Sequence, residues 1–99
     1  MTNIEIINLI HKLNIESGYK NSVHEFTHGK CLIFAMMLKE YLPLGTVMYI
    51  PDDYHFIFRY NGNYYDATGN VTKRYRFAKQ MSLAEFIRRN KLVKMFKIA

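Results

Sequence analysis

Gly29-Lys30-Cys31-Leu32-Ile33-Phe34-Ala35 is the stretch where the chain changes from polar to apolar. Residues 21–30 are mostly polar, whereas residues 31–42 contain strong helix formers and neither glycine nor proline. This pattern predicts a loop followed by a central, buried helix that begins at the only cysteine, Cys31. A thiol at a helix N-terminus faces unpaired N–H groups and the positive end of the helix dipole, which stabilise a thiolate. Cys31 is therefore a candidate nucleophile, although free cysteines are also common as small buried apolar residues.

Strand-forming sequence follows this helix, which Pro43 and Gly45 should end. Residues 46–50 and 54–60 are rich in β-branched and aromatic residues and predict two strands. Asn61-Gly62 is a strong signal for a two-residue hairpin turn, so residues 64–66 should return as the third strand.

The hairpin also predicts which side chains share a face of the sheet. A two-residue turn pairs Tyr60 with Asn63, so that Ile57 faces Asp66. Asp66 is then the diagonal neighbour of His55, at about 7 Å or less between Cβ atoms. A three-residue loop would instead move Asp66 to the opposite face. The sequence thus offers a thiol, an imidazole and a carboxylate in an order that suits nucleophile, base and orienting group. Taken singly, His55 also fits a half-buried strand histidine and Asp66 fits a cap on the turn at Thr68-Gly69.

Other elements are predicted at the two ends of the chain. Thr2 and Glu5 form a capping-box pattern ahead of a helix over residues 3–16, which ends at Ser17-Gly18. Residues 19–30 predict a loop with short helical turns. A second capping box at Ser82 to Glu85 predicts a helix over 83–90, and residues 92–98 suggest an edge strand.

The length of 99 residues indicates a single α+β domain spanning residues 1–99. A lone cysteine excludes an internal disulfide framework and favours a reducing compartment. Residues 2–13 lack the apolar region of a signal peptide, and no run reaches the roughly 20 apolar residues of a membrane span. We therefore expect a cytoplasmic protein without a membrane partner.

Positive charge is concentrated in the C-terminal part of the chain. Residues 73–99 carry nine Lys and Arg and one acid, a net +8, whereas residues 1–72 carry five bases and seven acids, a net −2. This basic region predicts either a partner surface for an acidic protein or nucleic acid, or a solvated surface that only keeps the protein in solution. The candidate partner-binding residues are Arg74, Arg76, Arg88, Arg89 and Lys91.

A metal site is a further alternative at the cysteine. A His-x3-His-x2-Cys spacing relates His24, His28 and Cys31, and together with His55 they could bind zinc. His24 and His28 would lie on the same face only if residues 24–28 are helical. We predict no metal and no cofactor, and expect one of these histidines to line the cleft beside Cys31.

Three segments together resemble the transglutaminase-like branch of the papain-like cysteine enzymes. Gly29 to Ala35 is similar to its Gly-x-Cys-x-x-Phe-Ala motif, His55-Phe56-Ile57 to its histidine strand, and Tyr64 to Thr68 to its aromatic-x-Asp-Pro-Thr strand. Ala67 stands where the family usually has proline, and the tryptophan that commonly follows the histidine is absent. The resemblance implies a papain-like α+β core, with the cysteine helix packed on a small antiparallel sheet, and acyl transfer through a thioester.

Two functions follow as expectations. The first is a small cysteine hydrolase or acyltransferase that acts on an amide or ester bond of a peptide, protein or small molecule. Cys31 would attack, His55 would act as base and then acid, and Asp66 would orient His55. The Cys31 N–H would supply one donor of an oxyanion hole, and the second donor would come from residues 21–30, where Asn21, Thr27 and His28 are the candidates. The alternative is a non-enzymatic binding or inhibitor protein of phage or mobile-element type, which uses the basic region as its interface.

Overall fold

The computed structural model describes residues 1–90, in which three helices precede an antiparallel sheet. The helices are α1 (Asn3–Glu16), α2 (Ser22–Thr27), α3 (Cys31–Tyr41), α4 (Thr72–Tyr75) and α5 (Leu83–Asn90), with a 3₁₀ turn at Pro51–Asp53. The strands are β1 (Thr46–Ile50), β2 (His55–Tyr60), β3 (Asn63–Asp66), β4 (Gly69–Asn70) and β5 (Met81–Ser82). The α+β class and the antiparallel sheet agree with the prediction.

The five strands lie in the order β4-β3-β2-β1-β5, and all neighbours are antiparallel. A two-residue turn joins β2 to β3, with φ of 52° at Asn61 and 80° at Gly62. These positive φ values match the right-handed twist of a hairpin and explain why Asn-Gly occupies the turn. Tyr60 pairs with Asn63, and Phe58 pairs with Tyr65. The predicted hairpin register is therefore confirmed.

Each face of the sheet has its own apolar core. On one face, Val47, Phe58 and Tyr65 pack against α1, α2 and α3. On the other face, the residues are Met48, Ile50, Ile57, Tyr64 and, from α4, Tyr75. This division follows from the alternation of side chains along a strand.

Several predicted elements differ from the structure in detail. Residues 22–27, predicted as a loop with helical turns, form α2, and Tyr54 lies outside β2 because its φ is 50°. The helix at Cys31 begins where expected, but it is not buried on all sides. Ile33 and Met36 are about half exposed, because only one side of α3 packs on the sheet and on α2.

Three short elements, β4, α4 and β5, were not predicted.

Within residues 1–90, no helix is both long and apolar enough to cross a membrane. The edge strand predicted over 92–98 lies outside the described residues.

Candidate functional site

Cys31 is the first residue of α3, and its thiol is partly buried. The backbone N–H of Phe56, on β2, donates to Cys31 Sγ over 3.4 Å. The chain folds this way because the polar loop ends at Lys30 and the apolar side of α3 packs on β2. The sulfur is consequently held against the strand that carries His55.

His55 and Asp66 form a buried pair on neighbouring strands. His55 Nε2 lies 2.9 Å from Asp66 Oδ2, and each residue is 7% exposed. Their contact results from the two-residue turn, which places Asp66 diagonally from His55 on one face. The structure thus brings both groups together as the hairpin parity predicts.

Asp66 uses its second oxygen to hold the turn that follows β3. Oδ1 accepts from the backbone N–H of Thr68 over 2.8 Å and also from the Thr68 hydroxyl. The two interpretations of Asp66 from sequence, a turn cap and a partner of His55, therefore coexist in one side chain. This arrangement fixes the carboxylate that contacts His55.

The electrostatics of the three groups favour their charged forms. Burial alone would lower the pKa of His55, but hydrogen bonding to Asp66 and Cys31 outweighs it and raises that pKa to about 9. Burial would raise the pKa of Asp66, but the bonds from His55 and Thr68 lower it. Burial would likewise raise the pKa of the Cys31 thiol, which hydrogen bonding by His55 and Phe56 N–H lowers. The site can accordingly hold a thiolate beside an imidazolium.

A polar cavity of about 430 Å³ lies beside the His55–Asp66 pair. Its other walls are Thr27, His28, Thr68 and a hydrogen-bonded group of Asp53, Arg74 and Tyr75. Asp53 Oδ2 accepts from the Tyr75 hydroxyl over 2.7 Å and from Arg74 Nη2 over 3.2 Å. A larger groove of about 650 Å³ lies along α1 and α2, and neither Cys31 nor His55 lines it.

The three predicted oxyanion-hole or cleft candidates divide between two places. Thr27 and His28 line the polar cavity, whereas Asn21 does not. Asn21 instead caps α2, where its side chain accepts from His24 N–H over 3.4 Å. The hydroxyl of Thr27 donates to Val23 O over 2.7 Å, so it is engaged with its own helix.

The histidines of the proposed zinc spacing do lie together, because α2 is helical. The rings of His24 and His28 stack at 4.2 Å between centroids. Residues 1–90 nevertheless contain no group of three or more His, Cys, Asp or Glu side chains placed to hold a metal ion.

The basic residues occupy two faces of the sheet. Arg74 and Arg76 belong to α4 and its end, which pack through Tyr75 on the face of Ile57. Arg88 and Arg89 belong to α5, whose Phe86 packs against Phe56 on the opposite face. Lys91 lies outside the described residues. The four described arginines therefore form two separate groups.

Sequence reasoning missed two features of this region. One is the Phe56 N–H that contacts the thiol, and the other is the bonding of Asp53 to Arg74 and Tyr75. No local pattern signals bonds between residues that lie 21, 22 or 25 positions apart. An Asp-x-Thr turn was the available signal for the Thr68 bond.

Comparison with known proteins corrects the family expectation. The model of the family described as Phage YunG-like protein matches residues 5–98. No curated protein matches the chain, and no solved structure matches it. The expected membership in the transglutaminase-like, papain-like enzymes was wrong, and the hydrolase description that rested on it falls with it. Short Cys, His and Asp motifs are too degenerate to define a family, whereas the matching model covers nearly the whole chain. The chain belongs to the Phage YunG-like protein family.

Proposed function

We propose that this phage-type protein is a non-enzymatic binding protein that docks on a negatively charged partner. Its interface is the basic segment Lys73–Lys79, which follows β4 and contains four cationic side chains. All four are exposed, and the Phe77 ring beside them is 94% exposed. This combination of cations with an unburied aromatic ring is the observation that carries the proposal.

The fold gives this segment a stable base. Tyr75 is 3% exposed and anchors the segment in the core, while its hydroxyl bonds to Asp53. The cations on either side of Tyr75 are then presented to solvent without a cost in core packing. Arginine and aromatic residues are also the types that contribute most to binding at protein interfaces.

Reversing the charge of two residues in the segment tests this interface. The double variant Arg76→Glu/Lys79→Glu is applied to a heparin column, and its retention is measured as the salt concentration at which it elutes. The matched control is Lys12→Glu/Lys20→Glu, which changes the net charge equally on exposed positions of α1 and the following loop. We expect the first pair to elute at much lower salt, because a local cluster loses its attraction for the polyanion. Equal losses in both variants would show that only net charge matters.

The thiol site favours a second candidate, acyl transfer at Cys31. The observation is the 2.9 Å contact between His55 and Asp66 next to a thiol that accepts from Phe56 N–H. The thiolate would attack a carbonyl carbon, and protonated His55 would give its proton to the leaving group. The resulting thioester would pass its acyl group to an acceptor whose proton returns to His55. Asp66 would keep the imidazole oriented throughout.

Thiol reactivity against pH separates the two candidates. Cys31 should react with iodoacetamide at an appreciable rate near about pH 6, where an ordinary thiol of pKa about 8.5 is protonated. His55→Ala should remove most of this reactivity, since each unit of rise in thiol pKa lowers the thiolate fraction about tenfold. Asp66→Asn should reduce it less, because the imidazole remains. A single rise near pH 8.5 that His55→Ala leaves unchanged would eliminate the acyl-transfer candidate.

A further inference from the structure

Two aromatic rings stand almost fully in solvent, one within the basic segment and one in the loop that is bonded to it. Tyr54 is 83% exposed and Phe77 is 94% exposed, whereas most of the other aromatic side chains are buried or half-buried. Neither ring contributes to a core cluster of the described residues. Core packing therefore does not account for either ring.

The backbone at Tyr54 has a strained conformation. Its φ is 50°, in the left-handed region that large side chains adopt at an energetic cost. Residues held in such conformations cluster at functional sites. Asparagine or glycine would fit the same turn with less strain, so the aromatic side chain is not explained by the turn.

Tyr54 and Phe77 each lie within three residues, along the chain, of one junction between chain segments. Asp53 precedes Tyr54, and its carboxylate binds both Arg74 and Tyr75, two or three residues before Phe77. These bonds tie the loop between β1 and β2 to the basic segment. The junction thus combines two exposed rings with the cations of Lys73–Lys79.

The polar cavity beside the junction has a different chemistry from the basic segment. Asp53 and Asp66 both line it, so their carboxylates disfavour a phosphate inside. Their charges are balanced by the facing Arg74 and by His55, and the hydroxyls of Thr68 and Tyr75 already donate to Asp66 and Asp53, which leaves their oxygens as acceptors. A neutral polar group that offers both donors and acceptors, such as the edge of a nucleobase, fits these walls.

We infer that the negatively charged partner is a single-stranded nucleic acid. Its bases stack on Tyr54 and Phe77, and its phosphates lie along the cations of Lys73–Lys79. Aromatic rings interleaved with cations are the pattern by which proteins bind single strands without a sequence preference. A duplex keeps its bases stacked on one another and gives the two rings no comparable surface. This inference rests on the proposed binding function and names the class of its partner.

Fluorescence anisotropy at low salt tests the inference with two labelled probes. One is a single-stranded oligothymidylate of about 20 nucleotides, and the other is the same strand paired with oligodeoxyadenylate. We expect tighter binding of the single strand, with a loss of about fivefold or more for Tyr54→Asn and again for Phe77→Ser. Both variants keep the fold, because the rings are exposed and asparagine suits the left-handed conformation. The matched control is Tyr41→Ser, which removes a half-exposed ring at the end of α3 and should leave binding unchanged.

The outcomes distinguish the inference from the function on which it rests. Equal binding of both nucleic acids, with no effect of the two ring variants, would overturn the stacking inference. Absence of oligonucleotide binding, together with heparin retention that depends on Arg76 and Lys79, would also overturn it and point to an acidic protein instead. Heparin retention that falls equally in the Lys12/Lys20 control would overturn the proposed binding function itself.

Discussion

At the residue scale, Asp66 shows how one carboxylate serves both the fold and the candidate site. Oδ2 contacts His55, and Oδ1 receives the N–H and the hydroxyl of Thr68. A buried carboxylate needs such partners, because an unpaired charge away from water costs several kcal/mol. The turn after β3 therefore contributes directly to the orientation of His55.

Thr68→Val should loosen this orientation without changing the shape of the side chain. It removes the hydroxyl donor and keeps the backbone donor, so we expect the pKa of Asp66 to rise and stability to fall by about 1 kcal/mol. Carboxyl chemical shifts against pH and urea unfolding provide the two measurements. Thr27→Val is the control, because that hydroxyl bonds within α2 and to His28. An unchanged Asp66 titration would show that the hydroxyl does not support the carboxylate.

At the element scale, the connection from α3 to β1 depends on the absence of a side chain at Gly45. A Cβ added there would lie 2.0 Å from Phe58 Cζ, and the φ of Gly45 is not positive. The requirement is therefore steric. Gly62 in the hairpin presents the opposite case, with open space around it and a φ of 80°.

Gly45→Ala should destabilise the protein by about 1–3 kcal/mol, because the fully buried Phe58 ring must move. In a Phe58→Leu background the same substitution should cost less, since the clashing ring atoms are gone. Gly62→Ala should cost about 1 kcal/mol through its backbone, with no dependence on Phe58. Urea unfolding of the single and double variants measures all three values. An equal cost of Gly45→Ala in both backgrounds would contradict the steric explanation.

The elements differ in how far the sequence predicts them. The hairpin was predictable with its register, because Asn61-Gly62 strongly favours a two-residue turn and the alternation of side chains then places Asp66 on the face of His55. Strands β4 and β5 have two residues each, too few for a periodic pattern. The bonds of Asp53 to Arg74 and Tyr75 depend on how α4 packs across the sheet, which no local pattern records.

At the scale of the whole molecule, the sheet separates the charges that the sequence groups together. Residues 73–90 carry six bases, but α4 packs on one face of the sheet and α5 on the other. Arg89 also pairs with Glu85 at 2.7 Å, within α5. Basic residues that are close in the sequence therefore need not lie on the same surface of the protein. Of the bases in residues 73–90, only the cations of Lys73–Lys79 lie beside the exposed Phe77.

The buried pair should also give the stability of the whole molecule a specific pH dependence. Hydrogen bonding to Asp66 and Cys31 outweighs burial and raises the pKa of His55 to about 9, above the unfolded value of about 6.5. Its contribution is then fully present below about pH 6.5 and is lost as the pH rises through about 9. The pKa of Asp66 is lowered, so its contribution is present above the unfolded value of about 3.9 and is lost in acid.

Urea unfolding at about pH 5.5, 7.5 and 9.5 tests the alkaline limb, a window set by the pKa values of His55 in the two states. Cys31→Ala serves as the background, so that the thiol does not titrate in the same range, and Cys31→Ala/His55→Gln is compared with it. Because the thiol helps to raise the pKa of His55, the loss of stability in this background should begin at a lower pH than in the wild-type protein, while the bond to Asp66 still raises that pKa. Glutamine can still donate to Asp66 but carries no titrating proton. We expect the single variant to lose more stability than the double variant as the pH rises, because only the single variant has a His55 imidazolium that can lose its proton. A difference that stays constant with pH would mean that His55 does not bind its extra proton in the folded protein.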